Sequence, residues 1–305
     1  MRKGFVEVAS RAFKETVVDL LWSLWAEFGV SGVVAPRHRD QYIDPEALVL
    51  LTAAESDLDP RLRDEAIDWV IRYGTQLSKA RLKNLRAAWH LDDDPGLARF
   101  AATVNAHAPL GWPTGGRPLP FEPRGHVLLE DMFRPSLIAL RTRAVFGVGA
   151  RAELIRAFLA QSHFLSAAAL SAETSYGKRN VLNALEAMGS AGLVEVGHLG
   201  NAAQYRLRHR SAVLELVGPA PGTFPRWNRL LPNVLQVLRL IRGGADRSAL
   251  ENAIAVRRFT EGESGALRDA GLVPPSLPTG HDAWPAFLEW ADHSVRSLGA
   301  PTARA

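Results

Sequence analysis

Residues 165–196 read LSAAALSAETSYGKRNVLNALEAMGSAGLVEV, and the fold turns on how this stretch is parsed. Ser166 precedes a short apolar run centred on Leu170, which predicts a serine-capped helix over AAALSAET. The polar segment Ser175-Tyr176-Gly177-Lys178-Arg179-Asn180 then interrupts the pattern. Beyond it Val181, Ala184, Leu185 and Met188 recur at i, i+3, i+4 and i+7, so a second helix is expected over 178–190. Its opposite face carries Lys178, Arg179, Asn183 and Glu186, and Gly192 ends it.

Upstream, ARAELIRAFLA (150–160) is amphipathic with Leu154, Ile155, Phe158 and Leu159 inward. Downstream, LVEVGH alternates as a strand with Val194 and Val196 on one face. A Gly-Asn turn at Gly200-Asn201 follows. QYRLRHR then returns as a second strand, with Tyr205 and Leu207 on one side and Gln204, Arg206 and Arg208 on the other. Helix, helix, turn, helix and a two-stranded ribbon make the layout of a winged helix-turn-helix.

The same residues resemble the winged-helix DNA-binding domains of bacterial regulators of the MarR and ArsR kind. The resemblance is carried by the Leu-x-x-x-x-Leu of the second helix (Leu165, Leu170), the polar start of the third and its Val-x-x-Ala-Leu-x-x-Met (Val181 to Met188). The Gly192-Leu193-Val194 before the wing completes it. It covers residues 148–218 and implies a regulator that works as a homodimer on near-palindromic half-sites of double-stranded DNA.

The chemistry of these side chains suits that expectation. An α-helix fits the major groove, where Arg and Lys bond guanine O6 and N7 and Asn pairs with adenine N6 and N7. Ser175, Tyr176, Lys178, Arg179, Asn180 and Asn183 are therefore the candidate readers. Asn201 at the wing tip, with Arg206 and Arg208, would hold backbone or minor groove. The alternative is a protein-interaction module, in which the winged helix and its helical flanks clasp a partner protein as an antitoxin-like adaptor would. The slightly acidic block 1–108 and the length outside the motif motivate it.

The 305 residues are 47% hydrophobic, enough for a substantial core, and the net charge is only +4. Arginine dominates; Lys3, Lys14, Lys79, Lys83 and Lys178 are the lysines. With no cysteine there is no disulfide framework, cysteine-ligated zinc or cysteine nucleophile. MRKGFVEVASRAFKE lacks the apolar core of a secretion signal, and VVDLLWSLW is too short for a membrane span. A cytoplasmic protein without membrane contact is expected.

The expected class is mainly α, in four segments: a helical domain (1–108), a Pro/Gly-rich linker (109–126), a connecting helix with the winged helix-turn-helix (127–218) and a helical C-terminal domain (219–305). Helices are predicted over 10–28 and after Asp44-Pro45, Asp59-Pro60, Ser78 and Asp94-Pro95, where the acid or serine caps and proline opens the first turn. A further helix is expected over VLLEDMFRPSLIALRTRAVFG (127–147), with Pro135 kinking or restarting it. Three more follow Gly218, and the tail APTARA is expected to fray.

No motif argues for an enzyme, a cofactor or a metal. His38-Arg39-Asp40 echoes a kinase loop without its partner motifs. Asp92-Asp93-Asp94 suits a helix start, and GVGARAE lacks phosphate-loop spacing. Trp22, Trp25, Trp69 and Trp89 lie at core positions of helices.

Overall fold

The computed structural model describes residues 2–30, 32, 36–113, 115–129 and 131–300; Pro301–Ala305, the expected frayed tail, lie outside them. The protein is mainly helical, with one small antiparallel sheet of three strands. The N-terminal block is built from α1 (Arg2–Glu27), α2 (Pro45–Ala54), α3 (Pro60–Tyr73), α4 (Lys79–Ala88) and α5 (Pro95–His107). Their starts follow the expected capping chemistry. Asp44, Asp59 and Asp94 accept hydrogen bonds from first-turn amides ahead of a proline, and Ser78 accepts from the Arg81 amide. Trp25, Phe28 and Trp69 meet edge-to-face at 5.3–6.0 Å in the centre of this block.

Residues 109–113 and 115–126 run against this block. The segment straps the block: the Asn105 side chain pairs with both backbone groups of Trp112, and Asp68 accepts from the Arg124 amide. The helix expected over 127–147 forms only in its second half. Residues 127–129 and 131–134 are not helical; Pro135 opens a single 3₁₀ turn, and α6 runs Ile138–Phe146. Proline lacks the amide a continuous helix needs and disfavours helical backbone in the residue before it.

The central segment follows as α7 (Ala150–Ala160), β1 (Leu165–Ser166), α8 (Ala167–Thr174), α9 (Lys178–Ser190), β2 (Val194–Leu199), β3 (Ala202–Leu207) and α10 (Arg210–Val217). α7 packs on α6, α8 and α9, and the strands lie in the order β1-β3-β2. Leu165 pairs with Tyr205, and Val194 with Leu207, all antiparallel. The burial on α9 matches the i, i+3, i+4, i+7 pattern: Val181, Ala184, Leu185 and Met188. On the hairpin only the base is covered. Val194 and Leu207 are buried, whereas Val196, on the same face as Val194, is 51% exposed because the hairpin projects past the helices.

The C-terminal helices α11 (Trp227–Gly243), α12 (Ala249–Asp269) and α13 (Ala283–Gly299) fold back on the N-terminal block. α13 lies along α1, and α11 packs on α2. One continuous apolar cluster therefore runs through residues of all the segments. Among the described residues no helix is long and apolar enough to cross a membrane.

Candidate functional site

α9 is the element on which the candidate residues converge. Lys178, Arg179, Asn180 and Asn183 are all exposed on its outward face, together with Glu186. Among the described residues neither Lys178 nor Arg179 has an ion-pair partner, so both charges face solvent unpaired. Their position is electrostatically unfavourable for the isolated helix. Gly177 provides no side-chain cap, no acid occupies the first turn, and two cations sit at the positive end of the helix dipole. The helices α2, α3, α4, α5, α8 and α12 all start with a capping side chain.

The turn before α9 has another job. Tyr176 is buried, not presented to solvent: its hydroxyl is hydrogen-bonded to Ser78 Oγ at 2.6 Å. Burial pushes the Tyr176 phenol above its ordinary range, so it stays neutral. Ser175 is half-buried with φ 57°; its carbonyl accepts from Asn84 Nδ2 at 2.9 Å and its hydroxyl from Asn228 Nδ2 at 3.0 Å. Ser171 Oγ donates to the Tyr176 carbonyl at 2.6 Å. Ser175 and Tyr176 therefore fix the turn between α4 and α11 and are withdrawn from the exposed face. Tyr176→Phe is expected to lower stability by about 1 kcal/mol, read as a urea midpoint, because one buried hydroxyl pair is lost. A tyrosine whose ring served an open surface would show no such loss.

The hairpin contributes less charge than its sequence suggests. Arg206 is ion-paired with Glu195, and its guanidinium stacks on Phe164 at 4.5 Å. Arg208 is exposed, its amide donating to the Leu193 carbonyl at 2.9 Å, and Asn201 stands at the exposed tip beside Gly200, whose φ is 58°. Leu199 at the same tip is 76% exposed.

A buried ionic cluster anchors this segment to the rest of the chain. Arg81 of α4 is ion-paired with Asp44 and Glu46 at the start of α2 and donates through Nε to the Thr174 carbonyl at 2.8 Å. Arg143 of α6 bonds Glu46 at 2.8 Å and Glu153 of α7 at 2.6 Å. Arg156 of α7 reaches Glu153 at 3.2 Å and Glu173 of α8 at 3.1 Å, with its guanidinium 4.6 Å from the Tyr42 ring centre. Burial alone would push the Glu153 carboxyl up. Arg81, Arg143 and Arg156 outweigh it, and its pKa falls to about 2. The same balance, with Arg81 as the opposing charge, lowers Asp44. Glu153 and Asp44 therefore stay ionised opposite the guanidiniums, and α4, α6, α7, α8 and the start of α2 are held in fixed register.

Sequence reasoning passed over this cluster. Glu153 and Arg156 stand at i, i+3 inside the otherwise apolar face of α7, and Glu46 opens the apolar run PEALVLLTAA. Charges set among core positions were the available signal. His38 of the kinase-like triplet is also structural: fully buried, it bonds Ser23 Oγ at 2.8 Å and Gln41 Oε1 at 2.9 Å. Comparison with family models, with curated proteins and with solved structures finds no match, so the residues alone carry the functional reading.

Proposed function

We propose that the chain is a sequence-specific double-stranded DNA-binding transcription regulator, in which α7 through β3 form a winged helix-turn-helix and α9 reads the major groove. The element order α7-β1-α8-α9-β2-β3 and the strand order β1-β3-β2 support that arrangement. One observation carries the functional step: the exposed start of α9, uncapped and bearing unpaired Lys178 and Arg179 beside Asn180 and Asn183. A free helix N-terminus with two added cations is an anion site in physical terms, and the amide side chains supply base-edge recognition. Arg208 and Asn201 extend the contact along the wing, and a homodimer would set two such helices on successive half-sites.

The test is selection of duplexes from a random pool by the full chain, followed by titration across salt concentrations. Arg208→Ala is expected to weaken binding evenly across sequences and to reduce the salt slope by about one unit, as loss of a phosphate contact does. A pool that yields no enriched sequence would overturn the assignment.

The exposed Leu182, Val196 and Leu199 favour the second reading, an adaptor whose winged helix meets a partner protein. Binding of one stoichiometric protein by a chain without duplex affinity would select it.

A further inference from the structure

α4 has two working faces. Ser78, Arg81 and Asn84 point toward the turn and the ionic cluster. Lys79, Leu82, Lys83 and Arg86, at i, i+3, i+4 and i+7, line a cleft of about 350 Å³ on the other side, a volume within the range of small-ligand sites. The floor is apolar: Leu50, Leu82, Leu97, Ala101 and Trp112. The wall is preformed, because Asn105 pins Trp112 through two hydrogen bonds and Gly111, at φ 64°, lets the strap turn close over Lys79. Among the described residues no carboxylate lines the cleft. Arg86 is spent on Asp92 at 2.9 Å, whereas Lys79 and Lys83 are exposed and have no ion-pair partner among the described residues.

An apolar floor under two unpaired ammonium groups has one complementary ligand chemistry. We propose that this cleft binds a small amphipathic organic anion, its hydrocarbon or aromatic body against Trp112 and Leu97 and its carboxylate at Lys79 and Lys83. A neutral apolar molecule would leave the two ammonium groups unused, and an amine would be repelled by them. Because α4 also clamps the turn before α9, the site stands where an effector would act. That role rests on the proposed DNA reading; the binding itself does not.

The test uses the full chain without DNA, so its failure and the failure of the DNA reading are separate results. Octanoate, octylammonium and octanol are titrated calorimetrically. Octanoate is expected to saturate at one site and to bind at least tenfold tighter than either analogue. Lys79→Gln/Lys83→Gln is expected to weaken octanoate at least tenfold and leave octanol unchanged, and Lys79→Glu/Lys83→Glu to abolish it. All four substitutions are at exposed positions, so the thermal midpoint should hold. No saturation by octanoate, equal binding of octylammonium, or undiminished octanoate binding by the lysine variants would overturn the proposal.

Discussion

Arg81→Met is expected to cost about 3–5 kcal/mol of unfolding free energy, as breaking a buried ion pair from one side does. Arg81 is fully buried and is the shared counter-charge of Asp44 and Glu46, with Glu153 at 3.9 Å. Methionine matches much of its bulk but leaves two carboxylates with no adjacent cation on α4. Both are buried; Glu46 keeps Arg143, but Asp44 must either ionise without an ion-pair partner or take up a proton. The Thr174 carbonyl at the end of α8 loses its donor at the same time. Arg81→Lys is expected to fall between wild type and Arg81→Met, since it keeps the charge but cannot reach two carboxylates in a planar fork. Urea unfolding at pH 7 measures all three. A loss below about 1 kcal/mol for Arg81→Met would show that the carboxylates gain access to water.

The second large effect is expected at the open face of α9. Lys178→Ala/Arg179→Ala should weaken binding to a selected duplex at least about 30-fold, because each base-edge contact is worth about 1–3 kcal/mol. Stability should change little: both side chains are exposed, and their removal relieves two cations at the positive end of the helix dipole. Separation of the two readouts is what distinguishes a reading helix from a structural one. Arg206→Ala, in contrast, breaks an ion pair with Glu195 and a stack on Phe164, and should have a smaller effect on affinity.

Most helices were legible because their ends carry strong local chemistry. Asp-Pro and serine caps mark α2 to α5, and the apolar spacing of α9 predicts its buried residues one by one. What escaped is set by partners distant in sequence. β1 is two residues long and exists only through pairing with β3, so it has no pattern of its own. α10, also unexpected, starts without a side-chain cap. Tyr176 looked like a surface reader because it sits in a polar segment; its burial depends on Ser78, ninety-eight residues away. The return of α13 onto α1 likewise has no local signature. The exposed face of α9 was therefore readable, and the burial of the turn before it was not.

The absence of cysteine from the chain permits the most direct test of the central claim. Single substitutions Asn183→Cys on α9 and Asn201→Cys at the wing tip, with Val273→Cys as an exposed control (82%), would be exposed to a selected duplex carrying a tethered disulfide on a base. The expected result is crosslinking through Asn183→Cys and Asn201→Cys and none through Val273→Cys. Crosslinking through the control alone, or through none of the three, would contradict a DNA-reading α9.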